Sequence, residues 1–198
     1  MHARYIVKDT FYKKAKKEGY RARSAYKLEE IQHRFTIIKK GDRVLDLGAA
    51  PGSWVQLEST LVGARGLVVG LDILPITPVP ASNVVLKKAD IREVDVQALL
   101  GEVEIPAFDV IASDIAPNLS GIREADIARI HELYVAVLRV TDEGLRRGGN
   151  FLIKLFFSPD FADMAATLKP RFSKVTTFKP KASRSVSDEV YLIGMGKQ

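Results

Sequence analysis

"RVLDLGAAPGSW", residues 43–54, joins a short apolar run to a loop made almost entirely of Gly, Ala and Pro. The apolar run predicts a strand that ends near Asp46, and the following "SWVQLESTLV" predicts a helix. In open α/β sheets, ligands bind beyond the carboxyl ends of the strands. Small residues at that point let a ligand approach the backbone closely. We therefore expect the loop from Gly48 to Gly52 to form one wall of a binding site.

Strands and helices alternate through the rest of the chain. The later predicted strands are GLVVGLD, NVVLKKAD, FDVIASD, GNFLIKLF, KVTTFKP and EVYLIGMG, which makes seven in all. Helical patterns separate the earlier strands, and this is typical of a mostly parallel sheet in an α/β fold with helices on both faces. A loop joins the last two strands, so we expect the last strand to be antiparallel. We expect a single domain over residues 1–198, with a basic arm and helix at 1–40 and a core at 41–198.

Positive charge is concentrated near the start of the chain. Residues 1–40 carry 12 Lys and Arg against 4 Asp and Glu, whereas the remaining residues carry 18 against 20. A second stretch, residues 169–187, contains six basic residues and no acid. Two basic segments in an otherwise slightly acidic body predict one face for a polyanion such as RNA or DNA. The alternative is that both basic segments are simply exposed to solvent and bind no polyanion.

Several classes of site are excluded or disfavoured by composition. The chain has no cysteine, which rules out disulfides, thiolate zinc sites and cysteine nucleophiles. The three histidines, His2, His33 and His131, do not fall at metal-ligand spacing, and we expect no metal. The first twenty residues contain no apolar signal region, and no apolar run approaches the roughly 20 residues of a membrane span. We expect a cytoplasmic protein that does not associate with membranes.

Four of the predicted strands end in an acid: Asp46, Asp72, Asp90 and Asp114. Each alone could be a helix cap or a turn residue. Together they would repel a pyrophosphate, and the loop lacks both the G-x-G-x-x-G pattern and the lysine of a P-loop. They suit a cationic ligand with a ribose, such as S-adenosylmethionine. Asp72 is placed to bind the ribose hydroxyls and Asp90 the adenine amino group.

A lysine stands in the middle of an apolar strand. Lys154 lies in "FLIKLF", where a lysine is rarely buried without a partner, and Asp114 on the adjacent strand is its natural partner. Glu189 opens the last strand, and the early helix offers Lys27. These four would place two cations and two anions around one acceptor, with Lys154 as a base of lowered pKa or as a cation beside a developing alkoxide. The alternative is an edge-strand lysine that faces solvent.

These stretches resemble the FtsJ/RrmJ family of ribosomal RNA 2′-O-ribose methyltransferases. The matching segments are GYRARSAYKLEEI, LDLGAAPGSW, SDIAPNLSG, FLIKLF and KPKASRSVSDEVYLIG, and they run from Gly19 to Gly194. The resemblance implies a Rossmann-like methyltransferase fold with S-adenosylmethionine as methyl donor. The catalytic residues that it implies are Lys27, Asp114, Lys154 and Glu189, with Lys154 as the base. The donor-binding residues that it implies are Gly52, Trp54, Asp72, Asp90 and Asp114.

The activity that the resemblance implies is 2′-O-methylation of a ribose in RNA. The expected target is a uridine of large-subunit ribosomal RNA, within the large ribosomal subunit, and the expected enzyme is a monomer. Transfer RNA is an alternative substrate for the same mechanism. A non-catalytic ribosome-assembly factor and a nicotinamide dehydrogenase are further alternatives. The presence of Lys154 and Asp114 disfavours the non-catalytic assembly factor, and the missing G-x-G-x-x-G pattern disfavours the dehydrogenase. The sequence departs from the family at Ser53, where a second Gly is usual, and at "FFSPDF" after Lys154.

Overall fold

The computed structural model describes residues 15–116, 120–183 and 187–198. Most of the predicted basic arm, residues 1–14, and the basic Arg184 lie outside these ranges. The strands are β1 (Arg43–Leu47), β2 (Leu67–Asp72), β3 (Val84–Lys88), β4 (Phe108–Ser113), β5 (Leu145–Phe156), β6 (Phe172–Phe178) and β7 (Glu189–Lys197). The helices with defined bounds are α1 (Ala25–Phe35), α2 (Ser53–Val62), α3 (Val96–Glu102), α4 (Arg123–Gly144) and α5 (Phe161–Leu168).

The strands form one seven-stranded sheet in the order β3-β2-β1-β4-β5-β7-β6. The first five strands in this order pair in parallel. The last strand in the chain, β7, lies between β5 and β6 and pairs antiparallel with both. The predicted mostly parallel sheet with an antiparallel last strand is confirmed. The carboxyl ends of the parallel strands therefore meet at one edge of the sheet, where we expect the site.

Helices cover both faces of the sheet, as predicted. One apolar cluster contains residues of α1 and α2, including Leu28 and Trp54, together with Val44 of β1. The other contains residues of α3, α4 and α5, together with Leu45 of β1. Neighbouring residues of β1 thus face opposite layers, because side chains alternate along a strand. The helix α2 directly after the Gly-Ala-Pro loop lies in the same layer as α1.

A buried carboxylate ties β4 to its neighbours at the opposite edge of the sheet. Asp109 is 8% exposed. Its Oδ2 accepts hydrogen bonds from the main-chain N–H and Nε of Arg43, both at 2.8 Å, and its Oδ1 accepts one from Nε of Arg146 at 2.5 Å. Burial alone would raise the pKa of Asp109, but the hydrogen bonds from the two arginines outweigh it and hold the pKa at about 2.

We expect Asp109→Asn to lower the free energy of unfolding by about 2 kcal/mol at pH 7, because two arginines lose their charged partner. A carboxyl with a lowered pKa in the folded protein stabilises it above the unfolded pKa of about 4. This contribution is lost as the pH falls through about 2. Urea unfolding at pH 7 and pH 3 measures the difference between wild type and variant, which should shrink at pH 3. An equal difference at both pH values would show that the charge of Asp109 does not matter.

Candidate active site

Two buried ion pairs lie beside the carboxyl edge of the sheet. Lys27 of α1 places its Nζ 2.6 Å from Oε1 of Glu189, the first residue of β7. Lys154 of β5 places its Nζ 3.0 Å from Oδ1 of Asp114 and also donates to the main-chain oxygen of Asp114 at 2.5 Å. Both lysines and Glu189 are 8% exposed. Because buried charge is costly without a partner, the four predicted catalytic side chains compensate one another in pairs.

The register of the sheet brings these groups together. Ser113 pairs with Ile153, so that Asp114, directly after β4, comes level with Lys154. On its other side, Lys154 pairs with Tyr191 of β7. Glu189 precedes Tyr191 by two residues and therefore projects from the same face of the strand. Strand order and register thus bring Asp114, Lys154 and Glu189 together, and α1 adds Lys27 through its ion pair with Glu189.

Tyr191 also belongs to this group, although no local pattern in the sequence points to it. Its hydroxyl donates to Oδ1 of Asp114 at 2.7 Å, the same oxygen that faces Nζ of Lys154. Its ring stacks on the indole of Trp54 with centroids 5.9 Å apart. Burial, and then the charge of Asp114, raises the pKa of Tyr191 well above its usual value. The hydroxyl therefore keeps its proton and fixes the Asp114 carboxylate beside Lys154.

Glu189 remains ionised in spite of its burial. Burial alone would raise its pKa, but the ammonium of Lys27, 2.6 Å from Oε1, and the charge of Lys154 outweigh that effect. The pKa of Glu189 therefore lies below its usual value. Its negative charge is available at neutral pH to balance the lysines.

A cavity of about 600 Å³ opens at the same edge of the sheet. Its lining includes Gly48 and Ala50 of the loop after β1, together with Asp72, Asp90 and Asp114. The carboxylate of Asp72 accepts the main-chain N–H of Ala50 at 2.9 Å and that of Leu74 at 2.8 Å. Asp114 both lines the cavity and holds Lys154, so that the cavity and the ion pairs form one continuous site.

Asp90 lies at the cavity wall with part of its hydrogen-bonding capacity used. Arg92 approaches it with Nη2 at 2.6 Å and Nε at 3.0 Å, and the main-chain N–H of Arg92 donates at 2.9 Å. These hydrogen bonds lower the pKa of Asp90. The carboxylate keeps its charge at the cavity, and its predicted role in binding adenine stays a prediction.

The loop after β1 needs a glycine at its first position. Gly48 has φ +81°, and a Cβ built there would lie 2.9 Å from Cα of Ile115. A side chain is excluded at this position by the positive φ of Gly48 and by the backbone of Ile115, which lies directly against it. The loop is consequently packed against the segment that follows β4, so that the two walls of the cavity are held close together.

Gly52 and Trp54, the other two predicted donor-binding residues, lie outside the lining of the cavity. A Cβ on Gly52 would meet the guanidinium of Arg21. Trp54 is 3% exposed, and its Nε1 donates to the main-chain oxygen of Ser24 at 2.9 Å. Trp54 therefore packs against the ring of Tyr191 and donates to the segment before α1, and it does not line the cavity. The predicted roles of these two residues in donor binding stay predictions.

The expectation that Asp46 joins the other acids at the edge is wrong. The strand continues to Leu47, and Asp46 pairs with Gly70 inside the sheet, with no exposed surface. Neither of its carboxyl oxygens has a hydrogen-bond partner among the residues that the structure describes, and the same holds for Glu58 of α2. Burial, and then the charges of Asp114 and Asp72, raises the pKa of Asp46 well above its usual range. Burial and the charge of Asp46 do the same to Glu58.

The comparisons with known proteins agree with this geometry. Residues 20–197 match the family model described as FtsJ-like methyltransferase. The chain belongs to the FtsJ-like methyltransferase family. It is 42% identical to ribosomal RNA large subunit methyltransferase E of Bdellovibrio bacteriovorus, over 98% of this chain and 99% of that protein. It is 46% identical to the protein of the same name from Syntrophobacter fumaroxidans, over 96% of each chain.

A solved structure supports the fold as well. The crystal structure of a protein named as a ribosomal RNA methyltransferase from Plasmodium falciparum superposes with a TM-score of 0.80 at 27% identity, covering 90% of this chain and 98% of that one. The resemblance stated from the sequence and the methyltransferase fold are confirmed. The protein is an enzyme, and as a methyltransferase it uses a methyl donor.

Along the described ranges, no helix has the length and apolar character that crossing a membrane requires. In the same ranges, His, Cys, Asp and Glu side chains form no group of three or more that could hold a metal ion.

Proposed function

We propose that the protein transfers a methyl group from S-adenosylmethionine to the 2′-oxygen of a ribose in RNA, with a uridine of large-subunit ribosomal RNA as the target. One observation carries the proposal: Asp114 lines the cavity and also pairs with Lys154, so that a buried ammonium lies next to the place for the donor. The names of the relatives, ribosomal RNA large subunit methyltransferase E, support the choice of RNA.

S-adenosylmethionine fits the chemistry of the cavity. The volume of about 600 Å³ lies in the range typical of small-molecule sites. The lining carries four acids, Asp72, Asp90, Asp114 and Glu132, against two arginines, Arg92 and Arg129, and this net negative charge suits a ligand with a sulfonium and an ammonium. Apolar side chains such as Ile73 and Leu133 also line the cavity and suit the adenine ring. When bound, S-adenosylmethionine supplies a methyl group activated by the sulfonium.

The ion pairs perform the acid–base chemistry in this proposal. In its neutral form, Lys154 binds the 2′-hydroxyl and accepts its proton as the 2′-oxygen takes the methyl group, and the donor leaves as S-adenosylhomocysteine. The ammonium so formed returns its proton to solvent. Asp114, held by Tyr191, keeps Nζ of Lys154 in place. Lys27, held by Glu189, orients the ribose. Placing the hydroxyl correctly contributes much of the rate, because orientation of two reactants is worth roughly 7–11 kcal/mol.

The two basic segments support RNA binding because they are joined to each other. Glu30 of α1 accepts the main-chain N–H of Lys181 at 2.7 Å and of Ala182 at 2.8 Å. Arg23 donates from Nη2 to the main-chain oxygen of Ala182 at 2.5 Å. Residues 23–30 and 181–182 therefore meet near the catalytic side chains, whereas Lys169 and Arg171 precede β6 at the opposite end of the sheet, where Arg171 pairs with Asp142. We propose that the basic side chains around this junction hold RNA phosphates, with a salt-dependent affinity.

The proposed division of the domain follows the distribution of positive charge, which is concentrated in residues 1–40. Residues 41–198 form the catalytic core in this proposal, and residues 1–40 form the RNA-binding arm and helix within one domain. The helix α1 also packs into the core, since Leu28 and Ile31 are fully buried. We further propose that the enzyme acts as a monomer in the cytoplasm, without a metal, on the large ribosomal subunit.

Methyl transfer from labelled S-adenosylmethionine tests the function. Wild-type protein is incubated with large ribosomal subunits, with protein-free large-subunit RNA and with transfer RNA, and the labelled nucleotide is mapped. We expect label on the 2′-oxygen of a uridine in large-subunit RNA. Label on transfer RNA alone would change the substrate but keep the chemistry. Tight donor binding with no label on any RNA would contradict the proposal and favour a non-catalytic assembly factor.

A further inference from the structure

Arg21 joins its own segment, ahead of α1, to two loops through three main-chain carbonyls. Its Nη1 donates to the oxygen of Pro51 at 3.0 Å and to that of Thr77 at 2.5 Å, and its Nη2 donates to the oxygen of Pro78 at 2.5 Å. The main-chain N–H of Arg21 donates to Oε1 of Gln56 at 3.2 Å. Arg21 belongs to the basic segment of residues 1–40, yet both Nη1 protons are directed at the protein itself.

The carbonyls belong to the two loops that border the donor cavity. Pro51 lies in the loop after β1, whose Gly48 and Ala50 line the cavity. Residues 77 and 78 lie in the connection between β2 and β3, which begins with the lining residues Ile73 and Leu74. Asp72 joins these loops from within the cavity, since it accepts the N–H groups of Ala50 and Leu74. Arg21 is absent from the lining and joins the same loops from outside.

Arg21 lies directly against the loop at position 52. A Cβ on Gly52 would meet Nη1 of Arg21 and would lie 3.4 Å from Cγ2 of Ile76. The backbone of Gly52 also has φ +102°, which favours glycine. The guanidinium therefore packs on the backbone of the loop at Gly52.

We propose that Arg21 is a positioning residue for the methyl donor, which clamps the loop after β1 to the connection between β2 and β3 and so holds the cavity in its binding shape. The planar fork of the guanidinium matches this task, because it presents several donors in fixed directions to separate carbonyls. The clamp precedes α1, so it also fixes the position of Lys27 relative to the donor. The inference rests on the proposed use of S-adenosylmethionine.

Calorimetric titration with S-adenosylmethionine tests the clamp in the variants Arg21→Gln and Arg21→Lys. If the loops keep their binding arrangement about a tenth of the time without the clamp, Arg21→Gln weakens donor binding about tenfold. Arg21→Lys should recover only part of the affinity, because a single ammonium cannot bridge three carbonyls. Arg65→Gln is the matched control. It removes the same charge from an exposed turn before β2, at the other edge of the sheet, and should bind the donor like wild type.

Three further readouts separate a clamp from other roles. In ligand-free protein, Arg21→Gln should speed hydrogen exchange of the non-proline amides of residues 73–82 and change the fluorescence of Trp54, the one tryptophan of the chain. The KM for the donor should rise more than kcat falls. Wild-type affinity in Arg21→Gln, or full recovery in Arg21→Lys, would overturn the inference, and so would a loss of RNA binding alone. A wild-type protein that does not bind S-adenosylmethionine would overturn the proposed function and this inference together.

Discussion

Replacing Lys154 by alanine lowers the rate of methyl transfer about a thousandfold, while the affinity for S-adenosylmethionine changes little. General acid–base catalysis contributes roughly 10²–10⁴ in rate, and the ammonium that faces Asp114 is placed to supply it. Asp114 keeps the hydrogen bond from Tyr191, so its carboxylate retains one partner in the variant. Single-turnover rates on large ribosomal subunits, with donor binding measured separately, give the two quantities.

Two other variants show whether the loss of rate is specific to a lysine at position 154. Lys154→Arg keeps the positive charge but cannot give up a proton at neutral pH, and we expect less than about a tenth of the wild-type rate. Lys87→Ala, on β3, removes a lysine that pairs with Glu102, and should leave the rate unchanged. Near-normal activity of Lys154→Arg would show that residue 154 acts as a cation alone. Near-normal activity of Lys154→Ala would remove the catalytic role altogether.

Replacing Glu58 by methionine raises the free energy of unfolding by about 2 kcal/mol at pH 8, since a buried carboxyl without a partner costs several kcal/mol and methionine fills a similar volume. Both carboxyl oxygens of Glu58 lack a hydrogen-bond partner within the described ranges, and the charge of Asp46 adds to the cost of ionisation. Donor binding should be retained, because Glu58 does not line the cavity.

The gain from Glu58→Met should depend on pH in one direction. A carboxyl whose pKa is higher in the folded protein keeps its proton there while the unfolded chain loses it, so stability falls as the pH rises above about 4. The difference between Glu58→Met and wild type should therefore be larger at pH 8 than at pH 5 in urea unfolding. Glu93→Met, an exposed control, should stay within about 0.5 kcal/mol of wild type. Loss of stability in Glu58→Met would mean that the carboxyl has a partner.

Much of the fold and of the site could be predicted from local patterns. The alternation of strands and helices predicts the parallel sheet, and an apolar strand interrupted by Lys154 indicates a buried charge that needs a partner. Asp72 and Asp114 follow directly from their places at strand ends. Lys27 and Glu189 are suggested by their places in the early helix and at the start of the last strand, and the resemblance supports their grouping with Lys154. The pairing of β7 with β5 brings Glu189 to the edge that holds Lys154, and α1 supplies Lys27.

The features that were missed depend on tertiary contacts that leave no local signal. Tyr191 in "EVYLIG" fits an ordinary core strand, and only its register opposite Lys154 brings its hydroxyl to Asp114. Asp46 was misplaced because a strand end is uncertain by a residue or two from sequence, and one more residue, Leu47, keeps Asp46 inside the sheet. Arg21 stands among other basic residues, and its partners lie 30 to 57 positions away.

The position of β7 also has a consequence for how the proposed catalytic group is completed. Among the described strands, β6 pairs with β7, and β7 joins the sheet through β5. The β6–β7 pair carries Glu189 and Tyr191, whereas Asp114 and Lys154 belong to the parallel part of the sheet. The contact between the hydroxyl of Tyr191 and Asp114 therefore depends on the pairing of β7 with β5. A substitution that loosens this pairing would disturb the proposed catalytic group without touching the walls of the donor cavity.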